Sequence, residues 1–344
     1  MMKGIIEKYK EFIDIGNAKP ISMGEGNTPL LHSDFLSKKI GADVFIKVEG
    51  CNPSGSFKDR GMVVAVCMAL HRKKQVLVCA STGNTSASAS AYAAKFGLIS
   101  AIIVPNGNIA KGKLSQAMAF GAKIIAINGS FDDALNIVRK LEDYDNIEIV
   151  NSINPYRIEG QKSAAFEILD DIGEIDSLCI PVGNAGNITA YWKGFKEYNE
   201  KFGFKLPKMY GFQAEGASPI VKNEIVENPE TIATAIRIGN PASWDKANEA
   251  VTDSIGAIKA VSDEEIINSY VNLARQDGIF CEPASAAGIA GLIKYSKNYD
   301  FKGQKIVCVV TGNGLKDPST SEKHASSNIF EVDSSLDDVL KIIH

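Results

Sequence analysis

Residues 52–61 read Asn-Pro-Ser-Gly-Ser-Phe-Lys-Asp-Arg-Gly, and their neighbours on either side decide how the chain is organised. Before them, residues 44–48 (VFIKV) carry the apolar and β-branched side chains of a buried strand. After them, residues 61–70 run almost wholly apolar, as a buried helix does. Asn52, Pro53 and Gly55 supply the turn chemistry in between. Lys58 is thereby placed where a strand hands over to a helix, at the positive end of the helix dipole, where anions are stabilised and an ammonium is not. A Lys-Asp-Arg triplet is ordinarily a charged first turn. Here the glycine and serine neighbours, the phenylalanine beside the lysine and the apolar helix behind it give close approach, a dry wall and a lowered pKa, which is what an amine needs to form a Schiff base.

With 344 residues the chain exceeds the size at which single cores split, so two domains or two lobes of one α/β body are expected. Lys and Arg total 37 against 41 Asp and Glu, a net charge of -4 with no basic block, which argues against a nucleic-acid partner and for a small molecule. The first residues, MMKGIIEKYKEF, lack the apolar core of a signal peptide, and no apolar run approaches the roughly 18 residues of a membrane span. A cytoplasmic protein with no membrane contact is the expectation. The six cysteines show no CxxC pairing and read as small buried hydrophobes. The four histidines form no HxxxH pair, so neither a metal site nor histidine-based catalysis is expected.

Strand-like runs at residues 76–79, 101–104, 123–127, 148–150, 178–182, 209–214 and 306–310 alternate with helical patterns. Such alternation predicts mostly parallel open sheets covered on both faces, with ligand groups on the loops that follow the strands. No Pro-, Gly- or Ser-rich linker divides the chain, so a second domain is expected to be inserted and interleaved. The expected division is a larger domain from residues 1–50 plus 146–344 and a smaller one from 51–145, with the site between them.

Four loops carry the chemistry. After residues 76–79 come Ala80, Ser81, Thr82, Gly83, Asn84, Thr85 and Ser86, then a small-residue helix over 87–94. These hydroxyls and free helix N-terminal amides make a carboxylate cradle. After residues 178–182 come Gly183, Asn184, Ala185, Gly186 and Asn187, then a helix over 188–198. Small residues there let consecutive amides turn onto one phosphate, and the spacing is not that of a dinucleotide fingerprint. After residues 148–150, Asn151, Ser152 and Arg157 lead into a helix over 158–170 and suit a second phosphate or a carboxylate. After residues 307–310, Thr311 stands among glycines. The stretch GNIAKGK (107–113) imitates a nucleotide-binding loop, but Leu114 occupies the position of the magnesium-binding hydroxyl, so it is expected to be a loop opening a helix.

In order along the chain, EGNTPL (25–30), NPSGSFKDRG (52–61), ASTGNTSASASAYAA (80–94), NSINPYRIEGQK (151–162), PVGNAGN (181–187), EPASAA (282–287) and VVTGNGLKDP (309–318) resemble the threonine synthase family. These are pyridoxal-phosphate enzymes of the tryptophan-synthase-β fold group, fold type II. The resemblance covers about residues 24–318 and implies two interleaved α/β domains and pyridoxal 5'-phosphate as cofactor. It implies that Lys58 holds the cofactor as an imine, Asn84 bonds its phenolic oxygen, residues Gly183, Asn184, Ala185, Gly186 and Asn187 cradle its phosphate, and Thr311 meets its ring nitrogen with a neutral hydroxyl. It further implies O-phospho-L-homoserine as substrate and L-threonine as product. Ser81, Thr82 and Thr85 would face the substrate carboxylate and nearby phosphate, while Asn151, Ser152, Asn184 and Arg157 would grip the substrate phosphate. A homodimer of the short bacterial or archaeal type, without S-adenosylmethionine control, is the matching expectation. Ser54 stands where the family commonly has Thr, which touches nothing catalytic.

Rival readings share the fold. Serine or threonine dehydratases resemble GNHAQG and a four-glycine phosphate loop where this chain has Gly83-Asn84-Thr85 and residues 183–187. A cysteate synthase acting on O-phosphoserine also needs a phosphate grip. From a different class, a catalytically silent pyridoxal-phosphate-binding regulator would keep the cradles without the turnover.

Overall fold

The structure is a computed structural model that describes residues 3–106, 111–324 and 329–343. Among them run ten strands: β1 (Leu30–His32), β2 (Asp43–Val48), β3 (Val76–Ala80), β4 (Ile99–Pro105), β5 (Lys123–Ile127), β6 (Ile147–Ile149), β7 (Ser177–Pro181), β8 (Lys208–Ala214), β9 (Ala257–Val261) and β10 (Lys305–Val310). They form two sheets, one of six strands in the order β1-β2-β10-β7-β8-β9 and one of four in the order β5-β4-β3-β6. Every pairing is parallel except β1 with β2, in keeping with the α/β reading. The strand-like runs of the sequence fall within a residue or two of the observed strands. The two strands not anticipated are β1, a three-residue edge with partly exposed side chains, and β9, none of whose residues except Val261 is fully buried.

The helix Lys58–His71 opens three residues earlier than its apolar run, taking in Lys58, Asp59 and Arg60. It is buried on all sides, as a helix apolar all round must be. Met62, Val63 and Val64 belong to one continuous apolar cluster with Leu77 and Cys79 of β3 and with Leu178 and Ile180 of β7, so this helix ties the core of one sheet to that of the other. Against it lies the helix Pro155–Gln161, backbone to backbone. A Cβ at Gly160 would stand 1.8 Å from the Arg60 carbonyl oxygen, and one at Gly61 would stand 2.5 Å from that of Arg157. Only glycine fits at either point, and the crossing brings Arg157 towards the start of the Lys58 helix.

The single helix expected over residues 158–170 is two, Pro155–Gln161 and Ser163–Ile172. At the break the Ala165 N–H bonds to the Lys162 carbonyl, a tighter turn, and the helix Gly186–Phe202 passes so close that a Cβ at Gly194 would lie 2.5 Å from that same oxygen. Of the stretch 107–113, residues 107–110 lie outside the described residues, and the helix Lys111–Ala119 begins directly after them.

Candidate active site

Neighbouring parallel strands deliver their following loops to one edge of a sheet. In the larger sheet β10 pairs with β7, so Thr311 and residues 183–187 emerge side by side. In the smaller, β3 pairs with β6, which sets Ser81 to Thr85 beside Asn151 to Arg157.

The loop before Lys58 is pinned to the loop after β10. The Phe57 N–H donates to the Thr311 carbonyl at 3.0 Å, the Asn313 N–H donates to the Gly55 carbonyl at 2.9 Å, and Ser56 bridges to Gly312. Gly55 sits at φ +86°, a conformation that needs glycine. The Lys58 ammonium lies 4.4 Å from the centroid of the Phe57 ring. Burial pushes its pKa down to about 7, the charge of Arg157 adds to the shift, and Glu282 opposes it. At neutral pH a large share of Lys58 is therefore free amine, by burial and the Arg157 charge.

Asp59 and Arg60 are fully buried. Asp59 accepts bonds from the Ser54 N–H and hydroxyl at 2.6 Å and from the Ser88 hydroxyl at 2.5 Å, fastening the lysine loop to the helix Asn84–Phe96. Arg60 donates to Glu49 and Glu167 at 2.6–2.8 Å.

Asn84 opens its helix, and its side-chain Nδ2 donates to both oxygens of Glu282, at 2.9 and 3.1 Å. The Thr311 hydroxyl lies 2.9 Å from that of Ser285 and 3.5 Å from Glu282. Glu282 thus bonds Asn84 directly, reaches Thr311 by way of Ser285 and acts electrostatically on Lys58; the sequence displays its acidic motif, but its partner Asn84 lies 198 residues away. The available signal was a carboxylate directly before a proline that begins a helix.

Arg157 is buried to 1% exposure, and its Nη1 donates to the Val150 carbonyl at 2.6 Å. Its Nε and Nη2 have no hydrogen-bond partner among the described residues. Burial pulls its pKa down to about 10, so it is a cation at neutral pH. Asn151 is committed differently: its side chain donates to the Ala80 carbonyl and accepts from the Ala80 N–H, both at 3.1 Å, extending the β3–β6 ladder. Ser152, Ser81 and Thr82 are half-buried on the loops, and Thr85 is buried in the first turn of its helix.

Residues 183–187 have the form of an anion cradle. Ala185 holds φ +62°, an arrangement costly for a side chain, and caps the seventeen-residue helix Gly186–Phe202 with its first N–H groups unspent. Both polar atoms of the buried Asn187 side chain lack a partner among the described residues. The Asn184 carbonyl accepts from the Ser243 N–H at 3.2 Å, which holds the loop from outside. A phosphate group fits this set of donors.

The description "Pyridoxal-phosphate dependent enzyme" belongs to a family whose pattern matches residues 21–312. The threonine synthase of Halalkalibacterium halodurans is 56% identical over 322 residues, covering 93% of this chain and 91% of that one. The threonine synthase of Mycobacterium tuberculosis is 54% identical over 330 residues, 94% of this chain and 91% of that one. Among solved structures, a cysteine synthase of Entamoeba histolytica superposes with a TM-score of 0.76 at 23% identity, over 92% of this chain and 96% of that one, a likeness of fold. The chain belongs to the pyridoxal-phosphate dependent enzymes and, among them, to the threonine synthases.

Proposed function

We propose that this chain converts O-phospho-L-homoserine and water into L-threonine and phosphate, the last step of threonine biosynthesis, with pyridoxal 5'-phosphate carried on Lys58. Asn84 would bond the cofactor's phenolic oxygen, residues 183–187 its phosphate and Thr311 its ring nitrogen. Bound there, the cofactor supplies an electron sink that makes the substrate's Cα and Cβ hydrogens acidic. The Lys58 amine, whose pKa lies near that of the medium, would be the base that takes and returns those protons. Phosphate leaves from Cγ with the electron pair of its C–O bond, water adds its oxygen at Cβ, and a proton is delivered to Cγ. Ser81, Thr82 and Thr85 would receive the substrate carboxylate, and Arg157, with Ser152 and Asn184, its phosphate; Asn151, expected in the same grip, would instead hold the loop through the Ala80 backbone.

The observation that carries this reading is the Arg157 side chain, a buried cation electrostatically coupled to Lys58 with two nitrogens unpartnered. A dehydratase working on serine or threonine has no second phosphate for such a group to meet. The reading also takes a smaller inserted domain, expected over residues 51–145 but carried on at least to Ile149 because β6 pairs with β3 in the four-stranded sheet, and the working form as a cytoplasmic homodimer, whose dimeric state sedimentation would read.

Phosphate release from O-phospho-L-homoserine, set against O-phospho-L-serine, with L-threonine identified in the product, tests the proposal. The expected result is turnover of the homoserine ester with threonine and phosphate in equal amounts. Preferential turnover of O-phosphoserine would replace it with a cysteate-synthase-like activity, and deamination of serine or threonine alone would make the protein a dehydratase.

A further inference from the structure

The turn from Glu282 to Ser285, where the helix Pro283–Tyr295 begins, has no role in the reaction as described, yet it touches both Asn84 and Thr311. Glu282 is buried, and its two oxygens both face the Asn84 Nδ2. Both oxygens of one carboxyl lie against the same nitrogen, where a single forked N–H serves the pair, so the Asn84 amide is set with its NH2 towards Glu282 and keeps a second N–H to give elsewhere. The charged and titratable groups acting on Glu282 are the amino groups of Lys316 and Lys58, with the Cys281 thiol beside it in the chain. Burial pushes the carboxyl up, and Lys316, Asn84, Lys58 and Thr311 oppose that.

Ser285 repeats the logic on the other side. Its hydroxyl oxygen accepts the Thr311 N–H at 2.9 Å and the Gly312 N–H at 3.0 Å, which occupies both of its lone pairs. Its own hydrogen must then be donated, and the oxygen in reach is the Thr311 hydroxyl at 2.9 Å. Thr311 accepts there, so its own hydrogen is the one left to give. Glu282, at 3.5 Å, is too far to hold it well.

We propose that Glu282 and Ser285 are positioning residues that fix the hydrogen-bond direction of Asn84 and Thr311, so that both face the cofactor ring as donors. The inference rests on the reading of Asn84 and Thr311 as cofactor contacts. Its chemical consequence would be that Asn84 favours the anionic form of the phenolic oxygen and Thr311 offers the ring nitrogen a neutral hydrogen bond in place of a proton.

The test uses the holoenzyme and its Glu282→Gln, Ser285→Ala and Asn84→Ala variants, reading the visible spectrum of bound cofactor, the cofactor dissociation constant and thermal unfolding. Glutamine has the shape of glutamate but offers a donor as well as an acceptor, so the Asn84 amide is free to turn over. Glu282→Gln is expected to weaken cofactor binding by about tenfold, the scale of one lost charge-assisted bond, and to transfer intensity from the long-wavelength band to a shorter one. It should lower kcat with KM for the phosphorylated substrate within about twofold, since no substrate contact is removed. Ser285→Ala is expected to change the spectrum in the same sense and less. A structural role alone would lower the unfolding midpoint and leave the spectrum of retained cofactor untouched. If Asn84→Ala alters the spectrum while Glu282→Gln leaves it superimposable on the wild type, the inference is overturned and the cofactor contact stands. If neither alters it, the contact assignment falls with it. Should Glu282→Gln fail to fold, Ser285→Ala decides by the same spectrum.

Discussion

Two buried arginines meet near the glycine crossing of the helices Lys58–His71 and Pro155–Gln161, and they are treated in opposite ways. Arg60 donates through Nε, Nη1 and Nη2 to Glu49, Glu167, Thr28 and Ser163, and Lys47 adds a second cation to Glu167 at 2.9 Å. Burial alone would raise the Glu167 carboxyl, but Arg60 and Lys47 hold it far below the usual carboxylate range. Arg157 has one bond, to a backbone carbonyl, and two nitrogens unpartnered. Unmade hydrogen bonds of a buried charged group are costly, so a protein keeps them where something other than protein completes the set. A buried charge with built-in partners is structure, and it is the one without them to which the proposed function gives the substrate's phosphate.

Removing each charge in turn would break or establish that contrast. Arg60→Leu strands Glu49 without its cation and leaves Glu167 to Lys47 alone, and is expected to cost roughly 3–5 kcal/mol, read as a lower urea midpoint. Arg157→Leu removes an incompletely satisfied cation and should leave the midpoint at or above that of the wild type. Equal losses from the two would end the distinction.

Two glycines offer the same contrast on a smaller scale. Gly160→Ala drives a methyl into the Arg60 carbonyl, and overpacking of this kind typically costs about 1–3 kcal/mol. At Gly186 a Cβ would meet only the end of Ile158 at 3.6 Å and Ser243 at 3.9 Å, ordinary contacts. Gly186→Val should therefore leave the apoprotein's unfolding unchanged while weakening pyridoxal phosphate binding by at least about tenfold, because the branch projects into the cradle. Stoichiometric cofactor in that variant at micromolar concentration would place the cradle elsewhere.

A smaller effect ties Arg157 to Lys58. Attachment of the cofactor to apoprotein needs the free amine, so its rate should rise with pH up to about 7 and then level off. An ordinary lysine would go on gaining to about pH 10.4. Arg157 is the second cause of the low value after burial, and its positive charge disfavours the ammonium. In Arg157→Leu the plateau should begin at a higher pH, whereas an unmoved profile would mean that burial alone sets the amine.

The sequence made the strands legible because a buried parallel strand is a short apolar run with turn residues at its ends, as in residues 123–127, where the expected and observed bounds coincide. β1 and β9 escaped because their side chains are half out of the core and carry no such run. Lys58 stood out by its setting. Arg60, two residues on, could not be told from a solvated charge, since Glu167, its far partner, is 107 positions away. Nor could Arg157 be told from Arg60, because whether a guanidinium's donors are spent depends on which helices cross. Glu282 and Ser285 were visible as part of a motif, but their partners Asn84 and Thr311 are joined to them only by folding.

The most direct test of the account is the kinetics of Arg157→Leu in folded, cofactor-loaded protein, with unfolding midpoint and cofactor content measured on the same sample. A forked, charge-assisted contact to a phosphate dianion contributes roughly 1.5–3 kcal/mol, so kcat/KM for O-phospho-L-homoserine should fall by at least about tenfold. Any weak deamination of serine or threonine, which carry no phosphate, should be nearly unchanged. Wild-type turnover of O-phospho-L-homoserine by this variant would contradict the assignment of Arg157 as the substrate-phosphate anchor.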